Sequence, residues 1–203
     1  MPSDGLAEHC IGGRDWTSYS PSSRYSNSAQ MTFHLPASSD ALYLLARGSL
    51  ASGSVIILSS DDDRDTIQID VDVNYHNQNA LNHAKLCSLQ RKSSEIGIGI
   101  FVSYLMSVKI DFVHILQTPP VWVHGSSKGV LKFNITVYLP VRNAHLRINA
   151  FETDLPLFRH DVGDLGGAIE FGRLTLTGSN EPIVVGVSVA VSYVLYYSSH
   201  GFC

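Results

Sequence analysis

Long apolar segments are missing from this chain. The most apolar stretch, the 14 residues from Val184 to Tyr197, alternates polar with apolar positions and falls short of the ~20 residues a membrane-crossing helix needs. Basic residues are sparse as well. Lys and Arg number 14 against 18 Asp and Glu, only Arg91 and Lys92 stand side by side, and the net charge is −4. Neither a nucleic-acid face nor a polybasic membrane patch can be built from that distribution. Cysteine is scarce too. Cys10, Cys87 and Cys203 contain no CxxC pair and leave an odd count, so their spacing gives no disulfide framework. Met1 to Cys10 offer neither the basic region nor the apolar stretch of a secretory leader. A cytoplasmic protein is therefore the expectation. On that expectation the single sequon, Asn134-Ile135-Thr136, is uninformative, because its modification requires the secretory route. The phosphate-cradling strings are absent as well, G-x-x-x-x-G-K-[ST] and the strand-to-helix Gly fingerprint alike. No cofactor is expected.

What is present is repetition. Phe33-His34-Leu35-Pro36, five residues, then Leu42-Tyr43-Leu44 returns as Val137-Tyr138-Leu139-Pro140, five residues, then Leu146-Arg147-Ile148, and no gap is needed to align the two. Alternating apolar residues, a proline, a polar turn and a new alternating run read as strand, turn and strand. A weaker echo matches Leu146-x-Ile148 and Leu155-x-Leu157 with Leu174-x-Leu176 and Ile183-x-Val185, an offset of 28 residues (174 − 146). Repeated strand units suggest neighbours covering one another around a shared core.

With 203 residues and 44% hydrophobic content, one substantial core and one domain are expected. Residues 1–30, rich in Ser, Gly, Tyr and Asn, read as a disordered arm. From Met31 the pattern becomes short strand-like runs at 32–35, 42–46, 54–58, 66–75, 95–101, 131–139, 146–150, 155–158, 174–177 and 183–191. Turn clusters separate them at 36–40, 59–65 and 163–167. Asn77 to Lys92 reads either as a short helix or as a loop leading into a strand. The fold expected over 31–191 is all-β, either β-solenoid-like or β-sandwich-like.

The segment from Phe133 to Val185 resembles an uncharacterised domain of many fungal proteins, and its wider pattern is similar to adhesin β-solenoid families. The resemblance rests on Val137-Tyr138-Leu139-Pro140, on the corner Glu152-Thr153-Asp154-Leu155-Pro156 and on Phe171-Gly172-Arg173-Leu174, with Leu35-Pro36 and Glu95 to Phe101 added. Those motifs are structural. They imply no enzymatic activity and carry over no functional residue.

Two segments depart from the pattern, 102–117 and 192–203. Val102-Ser103-Tyr104 and Val191-Ser192-Tyr193 can be encoded by bases that open an intron, and Gln117 by bases that close one. They are read either as ordinary β-rich segments or as a retained intron and read-through. In the second case the final strand would be an exposed, adhesive edge.

Candidate chemistry is weak throughout. Gly125-Ser126-Ser127-Lys128-Gly129 matches G-x-S-x-G, but a strand-like run follows where a nucleophile elbow needs a helix. A Gly/Ser turn is the better reading for Ser127. Asp61, Asp62, Asp63 and Asp65, with Asp70 and Asp72 downstream, supply carboxylates, yet their flanks are strand-like and no EF-hand glycine stands at position six. They read as a solvated acidic turn. His160, Asp161 and Asp164 could pair as base and orienter or bind a metal, but no second His or Cys stands at ligand spacing. Trp16, Tyr19 and Tyr25 fall in the arm, where no rigid platform supports a stacking surface, and Trp122 reads equally as core. No catalytic, cofactor or metal residue is assigned. The function expected is a non-catalytic structural or protein-interaction module that offers a sheet edge or face to another protein. A carbohydrate-binding or adhesin-like module is the alternative.

Overall fold

The computed structural model describes residues 4–12, 15–19, 27–48, 51–61, 64–103, 131–141, 146–178, 181–186 and 190–198. The strands are β1 (Leu6–Gly12), β2 (Thr17–Tyr19), β3 (Asn27–Pro36), β4 (Ala41–Arg47), β5 (Ala51–Ser60), β6 (Thr66–Tyr75), β7 (Ala84–Lys92) and β8 (Glu95–Val102). They continue with β9 (Leu131–Pro140), β10 (Leu146–Asp154), β11 (Phe158–Val162), β12 (Ile169–Gly178), β13 (Ile183–Val185) and β14 (Ala190–Ser198). One short helix, α1 (Gln78–Asn82), precedes β7. Asn77 caps it, its side chain accepting the Asn79 amide at 2.8 Å, so the ambiguous stretch 77–92 is helix first and strand second.

The all-β expectation holds, and the form is a sandwich of two seven-stranded mixed sheets. The first runs β1-β7-β8-β4-β10-β12-β14 and the second β13-β11-β5-β9-β6-β3-β2. The alternation written in the sequence sorts side chains between core and solvent. On β6, Ile67, Ile69, Val71, Val73 and Tyr75 are buried, while Gln68, Asp70, Asp72 and Asn74 face outward. On β9, Leu131, Phe133, Ile135, Val137 and Leu139 do the same opposite Lys132, Asn134, Thr136 and Tyr138. Each side chain so buried contributes about 1.5–3 kcal/mol relative to exposure. Phe151 and Phe171, on adjacent strands, meet edge to face at 5.9 Å within this core.

A solenoid this is not, and the register says why. Phe33 on β3 and Val137 on β9 both pair with Ile69, one on each side of β6. The two copies of the opening phrase therefore flank an antiparallel strand instead of stacking directly. Beyond the prolines the chain crosses to the other sheet, where β4 and β10 do lie side by side in parallel, Leu42 against Phe151. From there the chain coils back and forth, laying β10, β12 and β14 in one sheet and β11 and β13 in the other, all parallel. The true offset of these coils is 23 residues (169 − 146), then 20 (190 − 170), rather than 28. Leu174 pairs with Phe151, not Leu146. Alternation with period two cannot by itself distinguish these registers. The β11–β12 corner turns on Gly166 and Gly167, both at positive φ (64° and 68°), with Asp164 accepting the Gly166 amide at 2.9 Å.

Within the arm expected over 1–30, the described residues form β1, β2 and the start of β3, with Asp4, Gly5, Asp15 and Trp16 outside the strands. β1 pairs antiparallel with β7, β2 with β3, and Trp16 is buried. The expected absence of a disulfide is also overturned, for Cys10 and Cys87 face each other across the β1–β7 ladder and are bonded. They lie 77 residues apart, and no local spacing pattern announces a pair that only strand register creates. Of the segments singled out as atypical, 102–117 lies outside the described residues beyond Ser103. β14 runs through the start of the other, from Ala190 to Ser198, in register with β12.

Candidate functional site

Among the described residues, the chemistry-bearing side chains do not converge. On β11 the period of two sends His160 into the core and Asp161 outward, so they cannot act as base and orienter. His160 is fully buried, its Nε2 is 2.8 Å from Thr153 Oγ1, and its Nδ1 has no partner among the described residues. Thr153 Oγ1 also accepts the Thr177 amide at 3.3 Å. Burial pushes the imidazole down to about 4 and keeps it neutral. Asp161 sits near Arg159 at 3.8 Å, and Asp164 belongs to the corner described above.

The carboxylates of β6 are spread along a polar face. Asp70 accepts from Thr32 Oγ1 at 2.7 Å and from Gln68 Nε2 at 3.1 Å, while Asp72 accepts from the Tyr19 hydroxyl at 3.1 Å. That hydroxyl titrates higher than usual because of burial and the neighbouring Asp72 charge. Among the described residues no three of His, Cys, Asp and Glu cluster to hold a metal ion. A cleft of about 170 Å³ lies on this face between Arg64, Gln68, Asp70, Tyr138 and Pro140. Tyr19 thus stands on a strand, not on a loose arm, whereas Tyr25, Trp122 and Ser127 with its G-x-S-x-G string lie outside the described residues.

The outer faces of the two sheets differ. On the first, the Ile-Gly-Ile-Gly-Ile run of β8 buries its isoleucines inward and leaves glycine outward, which lets Tyr43 lie flat. A Cβ at Gly97 would come 2.6 Å from the Tyr43 ring. Tyr43, Leu45, Cys87 and Leu89 form a second small apolar cluster there, with Phe101 against it. The segment leading into β1 covers it. Asp4, itself buried, takes Arg47 in a two-point ion pair (3.0 and 2.6 Å), and Arg47 also holds Asp154 at 2.7 Å. Arg91 stacks 3.9 Å over the Tyr43 ring and pairs with Glu152 at 2.9 Å. Burial raises the Tyr43 hydroxyl to about 12, so it stays protonated. The N-terminal segment thus covers this small apolar cluster. Sequence reasoning missed it, because a buried Asp–Arg pair 43 residues apart leaves no local signal.

The strand edges differ in the same way. β1 is stapled by the disulfide and carries a register shift between Ala7 and His9, and β2 and β13 are three residues each. β14 is nine residues long, reads Ala-Val-Ser-Tyr-Val-Leu-Tyr-Tyr-Ser and, among the described residues, pairs on one side only, with β12. It holds no Lys, Glu or Pro, the residues that blunt an edge. At the same end of the sandwich, β13 exposes Val184 to 45%.

No family model matches the chain, and no curated protein matches it. The fungal-domain resemblance gains no support from either comparison. Among solved structures, the chain is similar to a candidate cell adhesion protein of Clostridium sporogenes at 8% identity and a TM-score of 0.32, over 83% of this chain and 98% of that one. So slight a likeness carries no argument. Among the described residues, no helix is long and apolar enough to cross a membrane.

Proposed function

We propose that the protein is a non-catalytic interaction module that takes up an extended segment of another protein alongside β14. The observation that carries the reading is the length and composition of that edge. An unpaired strand edge offers a row of amide and carbonyl groups, and a partner strand satisfies them while side-chain pockets set specificity. The other edges are short or stapled, so the addition is directed to one place. A library of displayed peptides should yield binders that protect the backbone amides of Ala190–Ser198 in hydrogen-exchange mass spectrometry. Binders that protect only other segments would overturn the reading.

The second reading is glycan binding, and the cleft beside Tyr138 and Pro140 is what favours it. An apolar wall there meets a guanidinium, an amide and a carboxylate, the mixture a sugar ring requires. Protection of β6 and β9 by soluble saccharides, with β14 unchanged, is the outcome that would select it over strand addition.

A further inference from the structure

Asn134 lies in the middle of β9, the fourth of seven strands in the second sheet. Its sequon has the period of the strand. Asn134 and Thr136 share the outer face, and Ile135 between them is buried in the core. Around Asn134 that face is polar. Ser54 is its partner on β5 and donates to Asn134 Oδ1 at 3.2 Å, Asp72 is its partner on β6, and Lys132 precedes it on its own strand. A bulky hydrophilic group attached at this point displaces no apolar packing.

A second, independent observation concerns where the chain has been. The Cys10–Cys87 bond joins strands that are neighbours only in the folded molecule. Such bonds form and persist in oxidising compartments and are rare in reducing ones. The sequon therefore sits in a chain whose covalent structure suits the route on which sequons are read.

We infer that Asn134 is an N-glycosylation site, occupied during passage through a eukaryotic secretory compartment. The donor is a lipid-linked oligosaccharyl diphosphate. Asn134 Nδ2 forms a bond to the anomeric carbon of the first sugar, and the bond from that carbon to the diphosphate oxygen breaks. The lipid diphosphate leaves with the electron pair, and one Nδ2 proton passes to a base of the transferase. Transfer precedes closure of the sheet, since the finished ladder holds Asn134 between β5 and β6. The glycan then covers the polar face and leaves the β14 edge of the other sheet free.

The chain isolated from its own cells tests this directly. Trypsin releases Phe133 to Arg142 as one peptide, because Lys132 precedes it and Arg142 ends it. Treatment with peptide N-glycosidase in heavy-oxygen water should convert Asn134 to a labelled aspartate, and the unreduced digest should show the Cys10 and Cys87 peptides linked. An unmodified Phe133–Arg142 peptide in the oxidised protein overturns the inference, and so does the same peptide in protein whose two thiols are free. In a eukaryotic secretory host, Asn134→Gln and Thr136→Ala should each abolish the glycosidase-sensitive mass shift, while Thr136→Ser keeps it. A shift that survives Asn134→Gln counts against the site.

Discussion

His160 is the residue whose surroundings most constrain it. Buried against Thr153, with Nδ1 unpartnered among the described residues, it is held neutral with its titration moved down to about 4. The unfolded chain takes up that proton near the ordinary histidine value, about 6.5. Between those two values the unfolded state binds more protons than the folded one, so stability falls as pH drops through the window. Above about pH 6.5 the contribution is fully present, and below about 4 no more is lost. The expected total is on the order of 3 kcal/mol. Denaturant unfolding of wild type and His160→Gln at a series of pH values should give stability curves that converge as the pH falls from 6.5 to 4. Parallel curves would show that burial does not hold the imidazole neutral. The sequence offered His160 for base or metal chemistry, whereas strand period and depth make it a core histidine. Only the neighbours on β10 and β12 could reveal that.

Among the elements, β1 is one that the sequence reading placed in a disordered arm, and it is tied to the fold in two ways. Among the described residues it pairs only with β7, and the disulfide closes a loop spanning 77 residues. Chain-entropy arithmetic gives a cross-link of that span up to about 4 kcal/mol. An edge strand can also fray without unfolding the rest. The Cys10→Ser, Cys87→Ser double variant should therefore lose about 2–4 kcal/mol. Amide exchange should rise first in Leu6–Gly12 and along β7, with β6 and β9 following only on global unfolding. An unchanged denaturation midpoint would refute the stapling role. β6 and β9 were legible because one side of each is buried, which writes alternation into their sequence. β1 carries no such alternation. All but its last two residues are exposed, so composition made it look like a loose arm.

At the scale of the whole molecule, the pairings are overwhelmingly between strands far apart in the chain. Ala51 pairs with Leu131, Ala41 with Ala150 and Leu6 with Gln90, while the β7–β8 hairpin is one of the few local ladders. Closing such distances before any contact is rewarded makes folding slow. Refolding of the oxidised protein, followed by tryptophan fluorescence with buried Trp16 as a reporter, should take about milliseconds to seconds. Complete recovery within microseconds would contradict the topology.

The sequence alone determined that the chain is all-β, that corners fall within 36–40 and 163–167, and which residues of β6 and β9 face the core. It could do so because burial of one sheet face imposes a period of two on neighbouring residues, which is local information. The tertiary structure decided which strands are neighbours. It put β6 between the two copies of the repeated phrase, set the coil offset at 23 and then 20 residues, and joined Cys10 to Cys87. It also covered the small apolar cluster around Tyr43 with the segment held by Asp4 and Arg47, while β14 is paired on a single side among the described residues. Each of these depends on long-range register, and a strand's alternation is the same whichever partner it meets.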